Sequence, residues 1–141
     1  MTLLLAVTAA AGDATPEETI RLYLRALQAG DFKAAYPLVS RGMVGGKSEE
    51  DWVKEQQWIA QMAEVKIFEY RVYPGVIQGE KALVPNLLSS QDKFINQLGV
   101  PEHELYTLVR EDGRWKVDQQ QIVEPTDVRK WFPPPPAGAD D

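Results

Sequence analysis

The apolar pattern of this sequence changes period once, at Glu64, from helical spacing before it to alternation after it. A chain that spends its helices first and its strands last predicts an α+β domain with a mainly antiparallel sheet. Before the switch, Thr15-Pro16-Glu17-Glu18 supplies a capping Thr, a Pro at the first helical position and a Glu placed to reach back to the cap. Ile20, Tyr23, Leu24 and Leu27 then share one helical face, Arg21, Arg25 and Gln28 lie opposite, and Gly30 ends the helix. Asp31 caps a second, short helix with Phe32, Ala35, Tyr36 and Val39 inward, which Pro37 kinks or ends. Gly42, Gly45 and Gly46 make Arg41 to Lys47 read as a flexible loop. Ser48 and Asp51 open a third helix to about Ala63, with Trp52, Ile59 and Ala63 on its apolar stripe and Trp58 away from it.

After the switch, Phe68, Tyr70 and Val72 alternate with Glu69 and Arg71, as in a half-buried strand. Pro74-Gly75 and Gln78-Gly79-Glu80-Lys81 mark turns on the way to a strand over Ala82 to Leu88. Pro85 inside that strand predicts an edge position or a bulge. Ser89 to Pro101 reads as a long connection with one helical turn around Phe94 to Leu98. Glu104–Arg110 and Trp115–Gln121 form the clearest strand pair, joined across Asp112-Gly113, a favoured tight-turn dipeptide. Leu105, Thr107 and Val109 share one face of the first; Trp115 and Val117 share one face of the second. From Thr126 the sequence turns to Trp131-Phe132 and the run Pro133–Pro136, a polyproline-type tail.

Length and composition narrow the functions. At 141 residues the expectation is one domain. With 21 acidic against 15 basic residues, the net charge of -6 argues against nucleic acid as a partner. No cysteine and a single histidine leave no thiolate or histidine cluster for a metal, and no cofactor is expected. No phosphate loop, dinucleotide fingerprint or nucleophile elbow is present. Leu3-Leu4-Leu5-Ala6-Val7 is too short to span a membrane, so no integral span is expected. Followed by Ala9-Ala10-Ala11, it resembles the apolar region and cleavage site of a secretory signal, although no Lys or Arg precedes Leu3. Residues 1–13 are therefore expected to be a signal or unstructured segment, and the protein periplasmic or secreted. The alternative is a cytoplasmic chain with a frayed start.

Two stretches carry a family resemblance. Glu18 to Phe32, with its Gly30-Asp31 junction, resembles the opening helix pair of nuclear transport factor 2-like proteins. Leu108 to Asp118, with Trp115 after the turn, is similar to their closing hairpin. The resemblance spans roughly residues 15–123. It implies three N-terminal helices packed on a curved, mainly antiparallel sheet, a cone with a central pocket. The implied layout is a segment 1–13, a domain 14–124 and a Pro-rich tail 125–141. Function stays open, because this fold hosts isomerases, dehydratases, cyclases, transport factors and non-catalytic modules.

Tyr23 falls where ketosteroid isomerases of this superfamily carry an oxyanion-binding Tyr. That chemistry also needs a carboxylate base on a strand soon after the second helix. Here the matching region is the Gly-rich loop, Ser48 and then a helix. Glu49, Glu50 and Asp51 read as the solvated first turn of that helix. His103, the single imidazole, suits a general base or a partner for Glu102 or Glu104, but its place after Pro101-Glu102 at a strand entrance favours an exposed or edge position. Tyr23, Leu27, Tyr36, Trp52, Phe68, Tyr70, Tyr106 and Trp115 are the candidate pocket walls, equally suited to ordinary core packing. Trp131 is expected to pack on its own domain. The expected function is a non-catalytic cone-shaped domain that binds an apolar small ligand or a protein partner. One alternative is a small isomerase, dehydratase or cyclase using Tyr23. Another is a homodimer-forming module, pairing through its sheet, with no ligand.

Overall fold

The computed structural model describes residues 14–134. The expected signal segment and the run beyond Pro134 lie outside the described residues. Helix α1 (Pro16–Gln28) starts where the sequence predicts, with Thr15 Oγ1 accepting from Glu18 N at 3.1 Å. The reciprocal arm of the box is absent; Thr19 Oγ1 instead donates to the Thr15 carbonyl at 3.1 Å. Thr15→Ala should lower stability by about 1 kcal/mol, since the Glu18 N–H loses its acceptor. A chemical melt beside the parent chain checks this, and an unchanged midpoint would contradict the capping role.

Helix α2 (Phe32–Ala35), a 3₁₀ turn (Tyr36–Leu38), helix α3 (Arg41–Val44) and helix α4 (Glu49–Ala63) complete the helical half. Helix α3 corrects the expectation of a loop. Ser40 Oγ accepts from Met43 N at 3.0 Å, and Gly45 ends the turn at φ 67°, so the irregular stretch shrinks to residues 45–47.

The sheet contains β1 (Lys66–Val72), β2 (Val76–Gln78), β3 (Lys81–Gln91), β4 (Glu102–Glu111) and β5 (Arg114–Ile122). All named pairings are antiparallel, in the order β1-β3-β4-β5, with β2 beside β3 past the end of β1. Asp112 (φ 54°) and Gly113 (φ 75°) make the two-residue β4–β5 turn that Asp-Gly predicts. The α+β cone is thus the architecture found, with α1 packed against β1, β3 and β5 on the concave face.

Pro85 is a correction. It sits in β3, the central strand, opposite Leu105 of β4. Its carbonyl accepts from Tyr73 N at 2.9 Å, so its missing N–H would point the same way, into the gap where β1 gives over to β2. The one bond forgone is the reciprocal one to the Tyr73 carbonyl, past the end of the β1 ladder, and the pairing with β4 continues without a shift, so a central Pro is tolerated.

Two bulges curve the sheet. Phe68 is the extra residue in β1, between the Ile67–Ser90 and Glu69–Ser89 pairs. Asp118 is the extra residue in β5, between the Leu108–Val117 and Thr107–Gln119 pairs. The expected helical turn around Phe94 to Leu98 does not form. Asp92 takes up the N–H groups of Phe94, Ile95 and Asn96 and holds the segment as a tight non-helical loop.

On the outer face, Leu105, Val123 and Phe132 form a second apolar cluster with Leu83, Leu87, Val128 and Trp131. A 3₁₀ turn (Pro125–Asp127) and helix α5 (Val128–Trp131) carry that cover. Ordered structure therefore runs past the boundary expected at residue 124, and Trp131 packs on its own domain. No helix among the described residues is long and apolar enough to cross a membrane.

Candidate functional site

A cavity of about 500 Å³ opens between the C-terminal half of α1, helix α4 and the start of β1. Tyr23 and Leu27 line it from α1, Ile59 and Ala60 from α4, and Val65 and Ile67 from the entry to β1. Phe32 closes one end, and Gln28 and Gln56 supply amide groups. Gln28 is positioned by the β1 bulge: its Nε2 donates to the carbonyls of Ile67 and Phe68, both at 3.1 Å. The sequence placed this side chain on the solvent face. The bulge turns two consecutive carbonyls toward it and recruits it as a strut between α1 and the sheet.

Behind Tyr23 lies a buried polar network that the sequence reading missed. Glu104 on β4 is only 4% exposed. Its Oε1 accepts from Asn86 Nδ2 at 2.9 Å and from the Tyr106 hydroxyl at 3.0 Å, and its Oε2 accepts from Gln120 Nε2 at 2.6 Å. Asn86 is fully buried, and its Oδ1 has no hydrogen-bond partner. The Tyr23 and Tyr106 rings meet edge-to-face at 6.2 Å, so Tyr23 stands between the cavity and this network.

The electrostatics follow from burial. Loss of hydration pushes the Glu104 carboxyl above its ordinary range, against the pull of its three donors, with Glu102 adding a smaller push. Tyr23 is pushed up to about 12, first by burial and then by the neighbouring Glu104 charge. Tyr106 moves up for the same two reasons, burial leading. Both phenols stay protonated at neutral pH, and the Tyr106 hydroxyl donates to Glu104.

The other expected walls disperse. Tyr36 and Trp52 pack edge-to-face at 5.7 Å within the helical layer, and Tyr36 lines a separate cleft with Arg41 and Glu111. Tyr70 lies on the concave face against the core. Tyr106 belongs to the carboxylate network, and Trp115 is buried beneath Arg110, whose guanidinium carbon lies 4.7 Å from the ring centre. Phe68 is corrected: the bulge turns it outward to solvent and puts Ile67 into the cavity instead. Ile59, expected to point into the core, lies half exposed at the cavity wall. His103 packs on Phe132 at 4.7 Å on the outer face, far from any acid–base role in this site.

A signal for Glu104 does exist in the sequence. It shares strand parity with Tyr106 and Leu108, the concave face of β4. Of the three charged residues on that parity, Glu102 and Arg110 stand at the strand ends and Glu104 alone is flanked by the buried run, whereas Leu105, Thr107 and Val109 form the outer face.

No protein-family model matches the sequence, and no curated protein is similar to it in sequence. Solved structures do match. A SEC-C motif-containing protein from Rhodopseudomonas palustris superposes with TM-score 0.61 at 15% identity, over 78% of this chain and 80% of that one. An LEH-like epoxide hydrolase from M. tuberculosis superposes with TM-score 0.52 at 17% identity, over 77% and 82% of the two chains. An NTF2-like protein of unknown function from Cytophaga hutchinsonii aligns with TM-score 0.48 at 14% identity, over 82% and 96%. At these identities the likeness is one of fold, and the fold is the α+β cone implied by the opening helix pair and closing hairpin.

Proposed function

We propose that this chain is a non-catalytic binding domain whose ligand is a small, largely apolar molecule held between α1, α4 and β1. The observation that carries the reading is the cavity itself. Its volume of about 500 Å³ falls inside the range of small-molecule sites, and its walls are mostly aliphatic and aromatic, with two amides and Lys66 to orient a ligand. The neighbouring carboxylate argues against a base. Both oxygens of Glu104 are occupied by donors from Asn86, Tyr106 and Gln120, and Glu104 is not among the cavity walls. A general base must come within hydrogen-bond reach of the proton it takes, and a carboxylate outside the cavity walls does not. The carboxylate is held by Tyr106 rather than by Tyr23, so the pairing an isomerase-type site requires is not the one supported here. The Leu3–Val7 run followed by Ala9–Ala11 supports placing this activity outside the cytoplasm.

The test is titration with the apolar fluorophore 1-anilinonaphthalene-8-sulfonate, paired with native mass spectrometry of freshly purified protein. One probe should bind per chain, and Ala60→Phe should weaken it at least ~10-fold by filling the cavity while the fold persists. Probe binding that ignores Ala60→Phe in a folded variant would refute the site. Turnover of an epoxide or a ketone by the parent chain, lost in Tyr23→Phe, would favour the enzyme reading instead.

A further inference from the structure

We propose that the β3–β4 connection, together with the end of α4, is a self-association surface through which two copies of this chain pair. Ile95 is 89% exposed and Leu98 90% exposed, with Phe94 and Val100 also largely in solvent. Four large apolar side chains on one short connection are far more than surface loops usually show.

The loop is rigid in its construction. Asp92 Oδ1 accepts from Phe94 N at 2.8 Å and Ile95 N at 2.6 Å. Asn96 is buried; its Nδ2 donates to the carbonyls of Ser90 at 3.1 Å and Val100 at 2.8 Å, and its Oδ1 accepts from Val100 N at 2.9 Å. The ordering entropy is thus spent in folding and need not be spent again on association.

The patch extends beyond the loop. Lys93 N donates to the Ala63 carbonyl at 2.9 Å, which sets the loop against the end of α4 beside exposed Met62, with Trp58 one turn earlier. On its other flank Gly99 lies against the Phe68 ring, the side chain that the bulge turned outward. Three chain segments therefore contribute to one apolar surface.

A second copy is the occupant that fits. At roughly 150–250 Å² per fully exposed aromatic side chain, and less for aliphatics, the loop residues with Met62 and Phe68 present on the order of 700 Å². A standard interface takes ~800 Å² from each partner. The whole chain carries -6, but the rim of this patch is balanced, with Lys66 and Lys93 beside Glu64 and Asp92. Lys93 Nζ meets Glu64 Oε2 at 3.6 Å within the chain, so the rim is internally neutralised and raises no like-charge repulsion when two copies approach about a two-fold axis. An anionic lipid surface would meet the net negative charge with only two lysines to offset it. The outer face of the sheet is already partly covered by α5 and Phe132, so pairing there would have to displace them.

The test is light scattering and sedimentation of the full chain from about 1 to 200 µM, the range in which modest interfaces report themselves. The expected mass is twice 15.8 kDa. The double variant Ile95→Glu/Leu98→Glu should raise the dissociation constant at least ~100-fold. Its circular dichroism, melting temperature and binding of the apolar probe should match the parent, since both side chains lie in solvent. A parent chain that stays monomeric throughout overturns the proposal. So does a dimer that survives the double variant, which would put the interface on another face. So does a monomer that co-sediments with phosphatidylglycerol vesicles and loses that binding in the double variant.

Discussion

Glu104→Ala should lower the unfolding free energy by about 3–5 kcal/mol. Truncation leaves two buried donors, Asn86 Nδ2 and the Tyr106 hydroxyl, with no acceptor, and opens a void beside Tyr106. Glu104→Gln behaves differently. The amide keeps the shape and one carbonyl for Asn86 and Tyr106, while Gln120 turns its own amide to accept. The two side chains then diverge with pH. Burial holds the native Glu104 carboxyl above its ordinary 4.5, so the native state binds its proton more tightly than the unfolded chain does. Native Glu104 is therefore best tolerated at low pH, and its contribution falls as pH rises from about 4.5 through the raised native value, then levels off. Glu104→Gln lacks that decline and should gain on the parent across the same window. Urea melts of the three chains between pH 4 and pH 9 read both effects; parallel parent and Gln curves would mean the carboxyl is not perturbed.

Gly75→Ala is the second large effect, at about 3 kcal/mol or more. A Cβ there would stand 2.2 Å from the Leu83 carbonyl oxygen and 3.0 Å from Val84 Cγ2. The clash is with backbone of the central strand, which cannot swing aside as a flexible side chain can. Relief requires the β1–β2 crossing to lift, and Gly75 N then leaves Glu17 Oε2, which it meets at 2.8 Å. One substitution so loosens the crossing from the sheet and from the first turn of α1. Gly79→Ala is the control. Its Cβ would meet nothing within 4 Å, and the residue suffers only from its φ of 65°, a cost of about 1 kcal/mol. Equal losses in thermal melts of the two variants would show that steric approach at residue 75 is not what holds the crossing.

The helices and the closing hairpin were legible because their signals are local. Thr15, Asp31 and Ser48 cap where their side chains predict, and Asp112-Gly113 turns as it should. The site was harder to read because its inward set is written across two bulges. Alternation from Phe68 to Val72 puts Phe68 inside; the extra residue in β1 gives that place to Ile67. Alternation from Trp115 and Val117 puts Gln119 and Gln121 inside; the extra residue at Asp118 brings Gln120 to Glu104 instead. A bulge is chosen by curvature and by partners distant in sequence, such as Gln28 for one and Ser40 for the other. No window of neighbouring residues encodes it. Pro85 failed for a related reason. Its tolerance depends on where two other strands hand over, which its own strand does not state.

The bond between the helical half and the last strand has a consequence for the order of synthesis. Val39 bridges Val117, Ser40 N donates to the Val117 carbonyl at 2.8 Å, and Ser40 Oγ donates to Asp118 Oδ1 at 2.6 Å. Helix α1 likewise packs on β3 and β5. A nascent chain that has emerged only through α4 holds a nearly complete set of helices and no sheet to bury them on. Helix α1 can meet β1 and β3 earlier, but its share of β5 and the anchoring of Val39 and Ser40 wait for the last strand, and these contacts are among the most distant in the sequence. Such a chain completes its core late, when its last strand is in place.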